Sequence, residues 1–220
     1  MVAQRLSVVV PALNEARGIR AALEALAPLR SRGHEVIVVD GGSSDRTAEI
    51  AAGLCDRVLR APRGRAAQMN EGARVATGDV LVFLHADTRL PPRADQLIPH
   101  SSTWGRFDVE IAGRHPLLKV VACAMNLRSR LTGIATGDQA MFVQRDTFPG
   151  FPEIALMEDV AFSRAMKRRG RPACLRSRVV TSGRRWESRG VLRTVALMWR
   201  LRLAYFLGAR PDVLARRYRR

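Results

Sequence analysis

Cysteine is scarce and odd in number. Cys55, Cys123 and Cys174 stand too far apart to frame a disulfide-stapled domain or to supply the paired spacings of a zinc site. A reducing compartment is the simplest setting. A membrane-spanning helix needs roughly 20 mostly apolar residues, and the best stretch, 191–207, is interrupted by Arg193, Arg200 and Arg202. That makes it a poor candidate to cross a membrane and leaves a helix able to lie on a surface. The apolar start, 6–13, contains Pro11 and runs straight into Asn14 and Glu15 with no small-residue cleavage site, so it does not read as a secretory leader. The expected location is the cytoplasm, or the periphery of the inner membrane face.

Aromatic residues make up only 5% of the chain, and lysine is nearly missing: Lys119 and Lys167 are the only two. The formal charge is nevertheless +17. Residues 160–220 hold 18 basic groups against Glu187 and Asp212, whereas the other 159 residues are nearly balanced, with 19 basic and 18 acidic. A coding bias accounts for arginine over lysine but not for this asymmetry. Without a recognised nucleic-acid-binding motif or interleaved aromatics, no specific nucleic-acid partner is expected.

What is present is an α/β pattern. At 220 residues and 47% hydrophobic, the chain can bury one sizeable core. The runs 6–10 (LSVVV), 36–39 (VIVV) and 80–84 (VLVFL) have the length and β-branching of buried strands, and 57–59 reads as a short strand between the second and the last of them. Helical stretches separate them at 18–27, after GGSSD at 41–45, and at 66–76. This alternation predicts a mostly parallel, Rossmann-like central sheet flanked by helices. After Asp87 the rhythm changes: an edge strand is expected over 106–111, helices over 117–131 and 158–169, a strand over 140–144, and an amphipathic helix over 191–207. The boundaries read as one domain, 1–190, comprising a nucleotide-binding half (1–90) and an acceptor half (91–190), with a basic amphipathic helical appendage at 191–220.

Ligands of an open parallel sheet bind beyond the carboxyl ends of its strands. There the sequence places Pro11-Ala12-Leu13-Asn14-Glu15 after the first strand, Asp40-Gly41-Gly42-Ser43-Ser44-Asp45 after the second and His85-Ala86-Asp87 after the fourth. Arg65 follows the third. Each group alone reads as a turn or a helix cap. Acids after three separate strands go further, supplying what a nucleotide and a carboxylate-held divalent cation require.

The runs SVVVPALNEARGI, VIVVDGGSSDRT, GRAAQMNEGARVATGDVLVFLHADT, GDQAMFV, MEDVAFSRAM and SGRRWE resemble the family-2 glycosyltransferases, in the family's order and from residue 6 to about 190. The resemblance implies a GT-A-like fold and inverting transfer of a sugar from a nucleotide-diphospho-sugar to an acceptor. It nominates Pro11, Ala12, Asn14, Glu15, Asp40, Arg65, His85 and Asp87 for the nucleotide-sugar, and Asp87 for Mg²⁺ or Mn²⁺. His85 departs from the usual Asp-x-Asp, in a His-Ala-Asp version similar to that of a small bacterial single-domain subgroup. Asp159 matches the family's general base, with Glu158 positioning it. Gly137, Asp138, Gln139, Arg184, Arg185 and Trp186 match elements on the acceptor or diphosphate side.

Other readings compete. A nucleotidyltransferase on a similar sheet would carry a Gly-rich basic loop after the first strand, where Pro11-Ala12-Leu13 stands instead. A noncatalytic basic protein binding nucleic acid or membrane is the other alternative. Segment 191–207 and the RRYRR run at 216–220 fit either an amphipathic cover for the sheet or attachment to an anionic membrane surface. The latter would suit a lipid-linked acceptor.

Overall fold

The computed structural model describes residues 4–219; Met1, Val2, Ala3 and Arg220, the last residue of the RRYRR run, lie outside the described residues. The first half follows the sequence pattern closely. Strands β1 (Leu6–Ala12), β2 (Glu35–Asp40), β3 (Arg57–Arg60) and β4 (Val80–Phe83) pair in parallel, in the spatial order β3-β2-β1-β4. Helices α1 (Ile19–Glu24), α2 (Ala27–Arg30), α3 (Thr47–Ala52) and α4 (Arg65–Val75) make the crossovers. All seven residues of β1 are buried, because the sheet is covered on both sides. Val8 and Val10 face one apolar cluster with Ile19 and Leu23 of α1, while Val9 faces another with Ala66 and Met69 of α4. This is the period-2 alternation of a strand with two apolar faces. Gly72 lets α4 approach: a Cβ there would lie 2.4 Å from Cγ1 of Val9.

The second half adds β5 (Thr88–Arg89), α5 (Ala94–Leu97), β6 (Trp104–Ala112), α6 (Leu117–Thr132), β7 (Phe142–Gln144), α7 (Glu158–Lys167) and β8 (Ala173–Ser182). The described residues form an eight-stranded sheet, ordered β3-β2-β1-β4-β7-β6-β8-β5. Strand β7 is antiparallel to both β4 and β6, β8 runs parallel to β6, and β5 runs antiparallel to β8. β5 follows β4 in the chain yet occupies the far edge, so the sheet curls back on itself.

The strand expected at an edge over 106–111 is interior, between β7 and β8. Its charges are accommodated inside the sheet: fully buried Arg106 is paired with Asp108, which Arg130 of α6 also engages. Strand β8 was not anticipated, because Arg176 and Arg178 obscure an alternating pattern whose other face packs inward.

Helices α8 (Arg184–Arg189), α9 (Val191–Phe206) and α10 (Pro211–Arg219) finish the chain. Leu201 and Leu214 join Ile134, Met157 and Val160 in a third apolar cluster, so segment 191–219 is packed against α7. Among the described residues no helix is long and apolar enough to cross a membrane.

Candidate active site

The connections beyond β1 and β2 are laced together by their own polar groups. Asn14 adopts φ 55° and its Oδ1 accepts the Ser44 amide at 2.8 Å, while its own amide donates to Ser43 Oγ at 2.9 Å. The Glu15 amide donates to Thr47 Oγ1 at 2.8 Å. Asp40 is buried, and its carboxylate accepts the Gly42 and Ser43 amides at 3.1 and 3.0 Å and the Ser43 hydroxyl. Asn14 and Asp40 thus shape the rim and do not line the cleft beside it. Buried Gln68 of α4 donates at 2.8 Å to the carbonyls of both Ala12 and Val39, pinning the two strand ends together.

That cleft, of about 500 Å³, lies at the carboxyl ends of β1 and β4, the switch point where a doubly wound sheet binds ligands. From the first half it takes Pro11, Ala12, Glu15, Arg65, His85 and Asp87. Asp138, Glu158, Arg185 and Trp186 enter from the second. Helices α9 and α10 close one side with Thr194, Met198, Ala215 and Tyr218. The segment expected as an appendage therefore forms a wall of the cleft.

Three pairings organise the charge. Glu15, half-buried, faces Arg184 at 3.7 Å. Burial and then the nearby Asp87 charge push its carboxyl above the ordinary range, against the pull of Arg184. His85 Nδ1 lies 3.4 Å from Asp138. Burial would raise the Asp138 carboxyl, but the hydrogen bond from His85 and the charges of His85 and Arg65 carry it below its usual value. Arg65 lies deep in the cleft yet open to it, with Nη1 3.6 Å from Glu158. Burial disfavours its charge, and Glu158, Tyr218, Asp138 and Asp159 more than offset that, holding it firmly cationic. Glu158, buried beside Asp159, is raised by desolvation and by that neighbour.

Asp159, the expected base, does not line the cleft. Its carboxylate accepts the Gly137 amide at 3.1 Å and the Val160 amide at 2.8 Å, which sets it against the turn that carries Asp138. A Cβ at Gly137 would fall 2.5 Å from His85 Nε2, so a side chain there would displace that ring. Gln139 is fully buried and donates to Ser129 Oγ at 3.1 Å while accepting the Thr136 amide at 3.2 Å. Contrary to expectation it has no amide atom free for an acceptor; it holds the turn. The Arg185 guanidinium stacks 4.0 Å from the Tyr218 ring centroid.

A divalent cation would find an open half-site here. Among the described residues no three His, Cys, Asp or Glu side chains cluster as ligands, so the chain builds no closed cage. Asp87 is exposed to the cleft, accepts the Thr88 hydroxyl at 3.4 Å, and has Glu15 close enough for the like charge to register. Such a donor set suits a cation that completes its shell with phosphate oxygens and water.

Sequence reasoning passed over Gln68, Thr181, Ser182 and Tyr218. A lone glutamine on the inner side of Ala-rich α4 was the one legible hint. Thr181 and Ser182 depended on finding β8, and Tyr218 is masked by the arginines around it.

Residues 7–114 match the profile of Glycosyl transferase family 2. A PGL/p-HBAD biosynthesis glycosyltransferase of Mycobacterium tuberculosis is 36% identical over 97 residues, 41% of this chain and 38% of that protein. An undecaprenyl-phosphate 4-deoxy-4-formamido-L-arabinose transferase of Yersinia pestis is 26% identical over 117 residues, 48% of this chain and 36% of that one. The chain thus spans less than half the length of these curated relatives. Among solved structures, S. aureus TarS 1-349 in complex with UDP-GlcNAc superimposes with a TM-score of 0.64 at 21% identity, covering 81% of this chain and 58% of that chain. Glucosyl-3-phosphoglycerate synthase from Mycobacterium tuberculosis, in complex with Mn²⁺, UDP and glucosyl-3-phosphoglycerate, gives 0.58 at 18% identity, covering 81% and 71%. The family 2 match thus covers residues 7–114, just under half of the chain, and a GT-A-like sheet runs through most of its length.

Proposed function

We propose that the protein transfers a sugar from a nucleotide-diphospho-sugar to an acceptor hydroxyl, with inversion at the anomeric carbon. One observation carries this reading. Glu15, Arg65, His85, Asp87 and Asp138, from four separate segments, meet in a single cleft at the β1/β4 switch point. The nucleoside lies along the rim of Pro11 and Ala12, whose backbone is fixed by Gln68, while Glu15 meets its polar edge. Arg65, Arg184 and Arg185 offer guanidinium groups to the diphosphate, a bidentate match that lysine would not make.

A divalent cation, Mg²⁺ or Mn²⁺, held by Asp87 would supply charge neutralisation to the departing diphosphate. The acceptor oxygen bonds to the anomeric carbon as the bond to the diphosphate breaks, and the leaving group takes that electron pair. Asp159 receives the hydroxyl proton. Glu158, paired with Arg65, links the base to the diphosphate side, and Trp186 offers a face to a sugar. The protein acts in the cytoplasm or at the inner membrane face.

The test begins with a thermal-shift screen of nucleotide sugars with Mn²⁺, since a specific donor raises Tm by mass action. Sugar transfer from that donor should then be lost in Asp87→Ala. Asp159→Asn should lose transfer and keep donor binding within about threefold. Transfer that survives in Asp159→Asn would rule out this base, and the absence of a shift with any nucleotide sugar would rule out the donor site.

A further inference from the structure

A second groove, of about 300 Å³, runs between the end of α6 and α9, with Val160 of α7 in its lining. Its walls are mostly apolar: Ile134, Val160, Trp199, Leu203 and Phe206. Two guanidinium groups, Arg128 and Arg202, stand within it. Nε and Nη2 of Arg128 are buried without a hydrogen-bond partner among the described residues. Burial, followed by repulsion from Arg202, pulls the Arg128 pKa down to about 10, and Asp159 supplies the opposing attraction. Unpaired buried donors are costly, and two like charges in an apolar lining favour an anion shared between them.

The groove opens onto an apolar surface. Leu127, Leu131, Leu203 and Leu207 are exposed, and Trp199 is 73% exposed. Arg164 lies over the Phe206 ring at 4.4 Å, marking a basic border. An inorganic anion would satisfy the arginines and leave the walls bare. A neutral lipid would do the reverse. Only a molecule with both parts matches the groove, and its charged end would lie beside Val160, the neighbour of Asp159.

We propose that this groove binds the acceptor, and that the acceptor is an anionic amphiphile, its phosphate-like group between Arg128 and Arg202 and its apolar chain along α6 and α9. That the ligand is the acceptor rests on the transfer reading; that the groove binds it does not.

The experiment uses the full chain and decyl phosphate below its micellar concentration, with inorganic phosphate and decanol as controls, followed by tryptophan fluorescence and calorimetry. Decyl phosphate should bind at least tenfold more tightly than either control. Arg202→Gln and, independently, the surface change Leu203→Glu should each weaken it at least tenfold. Binding equal in wild type and both variants, or inorganic phosphate binding as tightly as decyl phosphate, overturns the proposal. Nucleotide-sugar binding with Mn²⁺, measured on the same samples, separates the two readings: its absence removes the donor site alone, whereas amphiphile binding indifferent to Arg202 and Leu203 removes the groove alone.

Discussion

Gly137→Ala is a small change whose effect should depend entirely on one neighbour. The added Cβ would sit 2.5 Å from His85 Nε2 and 2.6 Å from Cε1, against a comfortable separation of about 3.5–4.0 Å. Gly137 is not among the positive-φ residues, so alanine meets no backbone penalty there. The ring must therefore swing away by about 1 Å, and its 3.4 Å contact with Asp138 is lost. A hydrogen bond of this kind contributes about 0.5–1.5 kcal/mol net, while glycine to alanine at a compatible position returns about 0.4–1 kcal/mol through the unfolded chain. In wild type the substitution should thus be neutral to mildly destabilising, by up to about 1 kcal/mol or roughly 2–4 °C in Tm. In a His85→Ala background the clash is gone, and the same substitution should stabilise by about 0.4–1 kcal/mol. Asp138 is held below its ordinary 3.8, so the pair's contribution is present above that value and is lost as pH falls through the lowered one. The coupling should shrink accordingly below about pH 4. Urea melts of the four proteins across pH provide the measurement. Equal effects of Gly137→Ala in both backgrounds, within about 0.3–0.5 kcal/mol, would refute the reasoning.

Two further outcomes follow from pairs away from the cleft. Asp95 accepts from Arg32 at 2.9 and 3.0 Å and from His34 at 3.1 Å; against the upward push of burial, these bonds hold its carboxyl at about 2 instead of 3.8. A lowered acid stabilises the fold above its unfolded value and loses that effect as pH falls through the folded one, so Asp95→Asn should cost about 2 kcal/mol at pH 7, a few tenths near pH 2 and nothing near pH 1 in urea melts. Asp108→Asn should leave buried Arg106 without its anion, lowering stability by about 3–5 kcal/mol. A melt displaced by less than about 5 °C would count against that pairing.

The first half of the fold was legible because β1, β2 and β4 are buried runs rich in β-branched residues and each crossover carries its own helical stretch, so local preference and burial agree there. The later strands were harder for a physical reason. Arg106 and Asp108 cancel each other inside the sheet, and no linear pattern distinguishes a neutralised buried pair from a solvated one. Arg176 and Arg178 hid β8 similarly, and with it Thr181 and Ser182. In the site, strand-end position indicated Glu15, His85 and Asp87 because the ends of parallel strands share one rim. It could not show that Asp40 and Asn14 spend their oxygens on neighbouring amides, or that Gln139 faces inward. The role of α9 and α10 as a wall depended on where a long amphipathic helix docks, which periodicity does not encode.

The short link at 84–87 joins β4, in the middle of the sheet, to β5, hydrogen-bonded at its far edge. Extended chain covers at most about 3.6 Å per residue, so this strap can reach no more than about 18 Å. It acts as a hoop: the half built on β6 and β8 cannot swing away from the parallel β1–β4 half without tearing β5 off its partner. The terminal helices that wall the cleft are joined to one another by Arg185 on the Tyr218 ring and Arg189 on the Tyr218 carbonyl. Asp87 sits on the hoop itself, so its position is tied to strands paired at both ends.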